Sequence, residues 1–300
     1  MFRLRPIGNG VFGSFMAKVA AENAKITVLK AFTRNSGMNW NQDILKADVD
    51  GVYVCTPDHL HKPHAISCLN SGKHVLVEKP VLDFKDVRNA AEKNGRAMMV
   101  GFHRRHDSQY KRARQYASSV RPKRVLLESY DPVPADADLG NVVRNSLIHD
   151  IDILGWMFDG STIDVVKCEG NHETSAICVV LRVRNLDGHE FDAELKYAKL
   201  HATYVQRVVV DEETFGYEFA APKDTVWPNE WHISGPGMAQ VWKEAYATQF
   251  GAFLRMCREC DCDSFEGTTE PDFHSLYDGY QRTFSLMEEI AGRFDAKAMK

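Results

Sequence analysis

The chain has 300 residues, of which 44% are hydrophobic and 26% charged, and its formal net charge is −4. This composition excludes a disordered or fibrous protein, and the length allows one large domain or two. The negative charge argues against nucleic acid or an anionic membrane as the main partner, so a small molecule is expected.

No apolar run approaches the length of a membrane span, and residues 1–20 lack the apolar core and cleavage site of a signal peptide, so the sequence predicts a cytoplasmic protein. Its seven cysteines are scattered along the chain, which favours free thiols over disulfides. The one local cluster, "CRECDC" at 257–262, has no second pair or nearby histidine to complete a zinc site. A helix end followed by a loop explains this cluster better.

Residues 1–120 alternate short apolar strands with helices, which predicts an α/β domain with a parallel sheet covered by helices. The predicted strands are "FRLRPI", "KITVLKAF", "DGVYVCTP", "HVLVEKP" and "RAMMVGF", and the predicted helices are "VFGSFMAKVAAEN", "NQDILKA", "HKPHAISCLNSGK" and "FKDVRNAAEKNG".

Residues 121–300 follow a different pattern, in which longer alternating strands are joined by tight turns. These strands are "RVLLESYD", "IDVVKCEGN", "SAICVVLRVRNLDGHEFDAELKYAK" and "TYVQRVVVDEETFGYEF". They predict an α+β domain with a large, mostly antiparallel open sheet. Two closing helices carry apolar residues at i, i+3 and i+4, which is typical of core packing, and the last of them is free to pack against the first domain.

The first motif with chemical content is "GNGVFG", which places Gly8, Gly10 and Gly13 between a strand and a helix. In that context the pattern predicts a tight turn that lets a dinucleotide pyrophosphate approach the backbone at a helix N-terminus. An ordinary glycine turn is the alternative, and Pro6 weakens the case because a central strand needs every backbone donor. The candidate cofactor-binding residues here are Gly8, Asn9, Gly10, Val11, Phe12 and Gly13.

The end of the second strand, "AFTRN", bears on the type of cofactor. An acid that would accept the ribose hydroxyls of NAD is expected there, yet no Asp or Glu occurs between Glu22 and Asp43. Thr33 and Arg34 instead offer a hydroxyl and a guanidinium, which suit the 2′-phosphate of NADP. The sequence therefore favours NADP(H) over NAD(H), although Arg34 could also be a solvated surface residue.

Further polar residues follow the third, fourth and fifth strands, where parallel sheets bind ligands. Lys79, in Glu78-Lys79-Pro80, could protonate or polarise an oxygen, and Pro80 could be cis. The histidines of "TPDHLHKPH" lack a carboxylate to complete a metal set, so a polar wall beside the nicotinamide is the better interpretation and no metal is predicted. In "GFHRRHD", one arginine could meet a ligand and the other pair with Asp107. The candidate cofactor-binding residues in this group are Thr56, Pro57, His61, Glu78, Lys79 and Arg104.

The stretch "VRNSLIHDID" at 143–152 would bring Asn145, His149 and Asp152 onto one face if it is helical. That face is either a reaction centre or a buried polar cluster. If it is a reaction centre, Asn145 is unexpected, because an amide cannot exchange a proton near neutral pH.

Taken together, "GNGVFG", "VYVCTPDHLH", "GKHVLVEKP", "MMVGFHRRHD" and "LIHDIDILGWMF" resemble the family of glucose–fructose oxidoreductase and inositol dehydrogenases, and "ESYDPVP" and "YVQRVVV" look most like its inositol 2-dehydrogenase branch. The resemblance implies that Lys79 assists proton transfer and that His149 is the acid/base at the reacting hydroxyl. It also implies that residues 1–120 form a Rossmann dinucleotide-binding domain. Residues 121–300 would then form a substrate-binding and oligomerisation domain whose open sheet often forms the oligomer interface, hence a homodimer or homotetramer. The residue four before the histidine is usually Asp in that branch, whereas this chain has Asn145, and the segment 35–47 is shorter than usual.

These observations predict an NADP(H)-dependent oxidoreductase that interconverts a secondary alcohol of a polyol, inositol or sugar with its ketone. The candidate catalytic residues are Lys79, His149 and Asn145, and the candidate substrate contacts are Lys79, Arg105, Asp131, Asn145, His149 and Tyr204. The main alternative is a catalytically weak NADP(H)-binding regulator or sensor of the same fold. A metal-dependent hydrolase built on the histidines is a more distant one.

Overall fold

A computed structural model describes residues 1–33, 43, 48–131, 136–199, 203–220, 238–261 and 273–298. The chain divides into two compact units. The first unit comprises residues 1–103 and 241–281, and the second comprises 104–240 and 282–300. Each unit contains one β-sheet.

The sheet of the first unit has five parallel strands in the order β2-β1-β3-β4-β5. Its strands are β1 (Phe2–Ile7), β2 (Ile26–Val28), β3 (Gly51–Val54), β4 (His74–Val77) and β5 (Met98–Val100). The two central strands β3 and β4 are buried at every residue, as expected for a parallel sheet covered on both faces. The chain leaves β1 to one side for β2 and to the other for β3, so the end of β1 is the point where the strand order reverses.

Pro6 lies inside β1 although this strand has a neighbour on each side. The pairing of β1 with β2 ends at Leu4 and Val28, and beyond it the Pro6 carbonyl accepts from Phe32 N at 2.9 Å. The missing N–H of Pro6 therefore falls where the ladder with β2 has already ended, which explains why a proline is tolerated there.

Besides the first residues of the C-terminal helix, which belongs mainly to the second unit, four of the described α-helices lie wholly or mostly in the first unit. They are α1 (Val11–Ala21), α2 (His61–Asn70), α3 (Phe84–Asn94) and α7 (Met238–Asp261). Within this unit the aromatic rings of α7 pack against the sheet and α1: Phe250 lies edge-on to Tyr53 at 6.0 Å and Tyr246 edge-on to Phe12 at 5.6 Å. Aromatic residues at helical spacing are therefore core residues here, as their pattern predicted.

The second unit has a six-stranded sheet in the order β11-β10-β6-β9-β8-β7, in which only β6 and β9 pair in parallel. Its strands are β6 (Arg124–Tyr130), β7 (Thr162–Asn171), β8 (Ala176–Arg184), β9 (Glu190–Ala198), β10 (Thr203–Val210) and β11 (Glu213–Ala220). Alternate residues of β8 and β9 are buried, while the other face carries charged pairs such as Arg182 with Asp192 at 2.5 Å. The sheet thus has one apolar and one polar face, which is the pattern of an open antiparallel sheet.

The helices of the second unit are α4 (Ser108–Ser119), α5 (Leu139–Val142), α6 (Ile148–Met157) and the greater part of α8 (Phe273–Ala298). A π-helical turn, Val143–Leu147, joins α5 to α6. None of the described helices is long and apolar enough to cross a membrane. The predicted fold class, a Rossmann-type parallel sheet plus a mostly antiparallel second sheet, is confirmed. Of the predicted helix "NQDILKA", all but Asp43 lies outside the described residues.

Candidate functional site

The glycine turn follows β1 at the point where the strand order reverses, and two of its glycines are required by the protein itself. Gly8 has φ +104°, and a Cβ there would lie 2.5 Å from the Cys55 carbonyl oxygen. A Cβ on Gly13 would lie 2.7 Å from Cys55 Sγ. The Cys55 thiol donates to the carbonyls of Ile7 and Gly8 at 3.3 and 3.4 Å, and burial raises its pKa to about 12. Cys55 therefore supports the turn as a neutral donor rather than as a reactive thiolate.

The third glycine leaves room for a ligand. A Cβ on Gly10 would meet no atom within 4 Å, and Gly10 precedes α1 without a side-chain cap among the described residues. The first N–H groups of α1 are therefore open to an anion, and the helix dipole favours one. Asn9 and Val11 are exposed, and Asn9 Oδ1 accepts from Ser14 Oγ at 3.0 Å. These residues fit the pyrophosphate of a dinucleotide.

The carboxyl end of β4 carries Glu78, Lys79 and Pro80, and the Lys79–Pro80 peptide bond is cis. Lys79 is partly exposed, whereas Glu78 is buried. The hydroxyl of Tyr53 donates to Glu78 Oε1 at 2.7 Å, and a Cβ on Gly101 would lie 2.7 Å from the same oxygen. Burial raises the pKa of Glu78 to about 7, although the Tyr53 hydrogen bond and the Lys79 charge oppose the rise. Glu78 is thus a buried carboxyl that titrates near neutral pH, directly beside Lys79.

Thr56 and Pro57 continue from β3 next to β4. The ring of His61 lies at hydrogen-bond distance from two backbone carbonyls, Thr56 O and Pro80 O, and is buried. On the other side of β1, Thr33 is partly exposed and follows Phe32, which forms a parallel bridge with Ile7. Arg34 lies outside the described residues, so its predicted role at the 2′-phosphate stays a prediction.

In the second unit, Asp131 and Tyr204 belong to neighbouring strands of the sheet. Asp131 follows β6, and its carboxylate accepts from Tyr197 of β9 at 2.7 Å. Burial and this carboxylate raise the pKa of Tyr197, so its hydroxyl stays protonated, and the same hydroxyl oxygen is hydrogen-bonded to the Ser146 side chain. Ser146 precedes the predicted acid/base helix by two residues. The structure therefore brings Asp131 to the same side of the sheet as that helix, with Tyr204 buried in the adjoining β10.

The stretch 143–152 is helical, but its first half is the π-helical turn. Such turns change the register of a helix and recur at functional sites. Asn145, inside the turn, donates to Asn141 Oδ1 at 2.7 Å, and Asn141 in turn donates to Asp136 Oδ2 at 2.8 Å. Asn145 and His149 are both partly exposed, whereas Asp152 is buried. The polar residues of this stretch therefore form two pairs. Asn145 and His149 are accessible, whereas Asp150 and Asp152 are enclosed in the protein.

The enclosed acids pair with the adjacent arginines. Arg104 Nη1 lies 2.6 Å from Asp150 Oδ1, and Arg105 grips Asp152 with Nε at 2.8 Å and Nη2 at 2.5 Å. Both arginines are buried, so their guanidinium groups hold α6 on this unit. Burial raises the pKa of Asp107, the predicted partner, and the Arg104 charge opposes this rise. The Asp107 carboxylate caps α4 by accepting from Gln109 N at 2.7 Å and also accepts from the Tyr217 hydroxyl, so a direct ion pair with it stays a prediction. Ligand contacts by Arg104 and Arg105 stay predictions.

The described residues include no group of three His, Cys, Asp or Glu side chains placed to hold a metal ion. In the histidine motif, His64 Nδ1 lies 3.2 Å from the Thr56 hydroxyl, and in the cysteine cluster the thiols of Cys257 and Cys260 both have a raised pKa because they are buried. Cys262 lies outside the described residues.

Sequence reasoning missed two features of these sites. One is Tyr53, whose position in the buried strand "VYV" was itself a signal, because a buried tyrosine hydroxyl needs a partner. The other is the pairing of both arginines with α6, which two acids two residues apart in the apolar stretch "IHDIDILGW" could have indicated. Neither partner could be named without the tertiary structure.

Part of the chain matches a known protein family. Residues 8–102 match the family described as "Oxidoreductase family, NAD-binding Rossmann fold". The chain is 27% identical to the inositol 2-dehydrogenase of Rhodococcus erythropolis over 71% of its own length and 66% of that protein's. It is 31% identical to the inositol 2-dehydrogenase of Rhodococcus jostii over 39% of its length and 34% of that protein's. The alignments thus span less than two thirds of either relative.

The fold is also that of solved structures. Apo scyllo-inositol dehydrogenase from Lactobacillus casei superposes with a TM-score of 0.70 at 18% identity, covering 99% of this chain and 97% of that one. The family resemblance predicted from the sequence is therefore confirmed for residues 8–102, which match the model of that NAD-binding oxidoreductase family.

Proposed function

We propose that the protein is an NADP(H)-dependent oxidoreductase that interconverts a secondary alcohol of an inositol, another polyol or a sugar with its ketone. The observation that carries the proposal is the glycine turn at the strand-order reversal, with Gly10 open to a ligand and Lys79 at the end of a nearby strand. The names of the similar proteins, inositol 2-dehydrogenases, support the substrate class.

The first unit holds the dinucleotide in this proposal. The N–H groups after Gly10 bind its pyrophosphate, and Thr33 and Arg34 bind the 2′-phosphate. When bound, the nicotinamide accepts or gives the hydride. The preference for NADP(H) is supported by the absence of an acid between Glu22 and Asp43 in the sequence, since a carboxylate there would repel a phosphate.

The substrate side of the proposal rests on His149 as the acid/base at the reacting hydroxyl, Lys79 as its helper and Asn145 as the group that orients substrate or histidine. The partial exposure of His149 and Asn145 supports access by a ligand. Asp131 is proposed to accept from a substrate hydroxyl, because carboxylates bind vicinal hydroxyls well. Arg105 and Tyr204 remain weaker proposed substrate contacts: Asp152 accepts from two guanidinium nitrogens of Arg105, and Tyr204 is buried.

The test is steady-state turnover of a panel of inositols, other polyols and sugars with NADP+ and with NAD+, for the wild type and for Lys79→Ala, His149→Ala and Arg34→Ala. We expect both Ala variants of the proton-handling residues to lose at least 100-fold in kcat. Arg34→Ala should raise the KM for NADP+ and leave that for NAD+ unchanged. Undiminished turnover in both the Lys79 and His149 variants contradicts the mechanism.

A second candidate is a catalytically weak NADP(H)-binding regulator, and Asn145 is the observation that favours it. An amide cannot supply the negative charge that would stabilise a protonated His149. Tight NADPH binding, measured by quenching of the five tryptophans, together with no turnover of the panel supports the regulator. Measurable turnover with Asn145 in place excludes it.

Assembly as a homodimer or homotetramer through the sheet of the second unit is also proposed. Its support is the resemblance to a family in which an open sheet of this kind often forms the oligomer interface; the exposed ion pairs of β8 and β9, such as Arg182 with Asp192, fit a solvated face as well. Light scattering coupled to size exclusion tests it, and a monomer at micromolar concentration contradicts it.

A further inference from the structure

His61 has an arrangement that a neutral histidine cannot satisfy. Its Nε2 lies 2.7 Å from Thr56 O and its Nδ1 lies 2.9 Å from Pro80 O, and the residue is only 2% exposed. Both partners are carbonyl oxygens, which only accept. A neutral imidazole has one N–H, so its second nitrogen would face a carbonyl with a lone pair. Only the doubly protonated ring can donate to both oxygens.

His74 of the same unit shows the contrasting case. It is also buried, at 1% exposure, and both of its ring nitrogens are engaged. Its Nδ1 accepts from Ala97 N at 3.0 Å, and its Nε2 lies 3.1 Å from Asp261 Oδ2. One donor and one acceptor suit a neutral ring with its proton on Nε2. The demand for two protons therefore comes from the partners of His61 and not from burial alone.

The two carbonyls belong to the segments that carry the proposed chemistry. The pairing of β3 with β4 ends at Val54 and Val77, and one more bond joins Glu78 N to Val54 O at 2.9 Å. Beyond that point the His61 ring connects the two chains, since Thr56 follows β3 and Pro80 follows Lys79. Lys79 thus lies between Glu78, which makes the last hydrogen bond from β4 to β3, and Pro80, whose carbonyl contacts the His61 ring.

We propose that His61 is a positioning residue for Lys79: with a proton on both ring nitrogens it donates to the Thr56 and Pro80 carbonyls together, and the loss of one proton opens one of these contacts. The role of Lys79 rests on the proposed function, but the bridge itself does not. We call the ring with its two carbonyls the His61 bridge.

The charges around the ring determine when the bridge closes. Burial lowers the pKa of His61 below its ordinary value of 6.5, and the Lys79 charge adds to this effect. The two carbonyls and the Asp58 carboxylate oppose it. His64, one turn along α2, has a pKa lowered to about 4, first by burial and then by the charges of His61 and His59. The bridge is therefore complete at acidic pH and half-open above the pKa of His61.

The experiment records 15N spectra of histidine side chains in the full-length protein between pH 4.5 and 8, with His61 and His74 assigned by the loss of their signals in His61→Gln and His74→Gln. As the pH rises, we expect the His61 ring to lose one of its two N–H protons with a midpoint below pH 6.5. The backbone amide signal of Lys79 should shift with the same midpoint. His74 should keep its proton on Nε2 alone until a lower pH. A His61 ring with a single N–H throughout, or a Lys79 amide that ignores its titration, overturns the proposal. This arm needs no turnover, so it stands or fails separately from the proposed function.

The kinetic arm compares the same two variants. Each removes a buried ring from the first unit, so both should lower the midpoint of thermal unfolding. His74 begins β4, whereas Lys79 follows its other end, so only His61→Gln should lower kcat, by at least 10-fold, because small errors in positioning are costly. It should also remove the titration below pH 6.5 from the kcat profile. Equal kcat losses in both variants assign a purely structural role to His61 and overturn the proposal.

Discussion

Glu78 gives the sharpest prediction about stability, through the variant Glu78→Gln. Its pKa is about 7 in the folded protein against 4.5 as the ordinary value, mainly because the carboxyl is buried. Between these two pH values the folded state holds a proton that the unfolded state releases. The protonated carboxyl therefore stabilises the fold fully below pH 4.5, and that contribution is lost as the pH rises towards 7. A difference of about 2.5 in pKa corresponds to about 3 kcal/mol in the free energy of unfolding.

Glutamine has the same shape, accepts the Tyr53 hydrogen bond and does not titrate. We therefore expect the free energy of unfolding of Glu78→Gln, relative to that of the wild type, to increase by about 3 kcal/mol as the pH rises from 4.5 to 8. Hydrogen–deuterium exchange of the β3 and β4 amides measures this without assuming that the two units unfold together, and intrinsic exchange rates cancel in the comparison. Glu173→Gln, on the exposed turn after β7 in the second unit, is the control and should leave these amides unchanged. A constant difference between variant and wild type across this pH range would refute the reasoning.

Three further predictions concern the two units. Gly10→Ala should weaken NADPH binding at least 10-fold without changing the thermal midpoint, because no atom of the described residues lies within 4 Å of the added Cβ, whereas Gly8→Ala should lose both binding and stability. Fluorescence titration and calorimetry separate the two outcomes, and equal effects of the two substitutions would contradict the different roles of the two glycines. Arg105→Met leaves Asp152 buried without its charge partner and should cost about 3–5 kcal/mol in chemical unfolding, and a loss below 1 kcal/mol would disprove the importance of the pair. Asn145→Asp should move the acid limb of the pH–rate profile to higher pH if His149 is the base, and an unmoved limb removes that assignment.

The alternation of apolar strands and helices was enough to predict both sheets, since period and turn chemistry are local properties of the chain. The predicted β1 to β11 segments all form strands, and even Pro6, which seemed to count against a central strand, lies where the ladder with β2 has ended. The sequence did not predict helix α4, because "SQYKRARQYASS" is largely polar and charged and its apolar face is small. That buried face consists of Tyr110, Ala113 and Ala117. The π-helical turn was also not predicted, since nothing in the residue pattern of 143–147 distinguishes it from an α-helix.

The sequence by itself determined the glycine turn, the two sheets and the resemblance to the oxidoreductase family, because these depend on residue types at short, fixed spacings. Tertiary structure alone decided the partners of the polar groups. Asp107 was the nearest acid to the tandem arginines in sequence, yet the acids of α6 hold them, because buried charges are satisfied by what the fold brings close. In the same way, His61 stands in the sequence as one of three similar histidines. The fold places the carbonyls of Thr56 and Pro80, which follow different strands, at the two nitrogens of its ring. Only this placement makes His61 a residue that needs two protons.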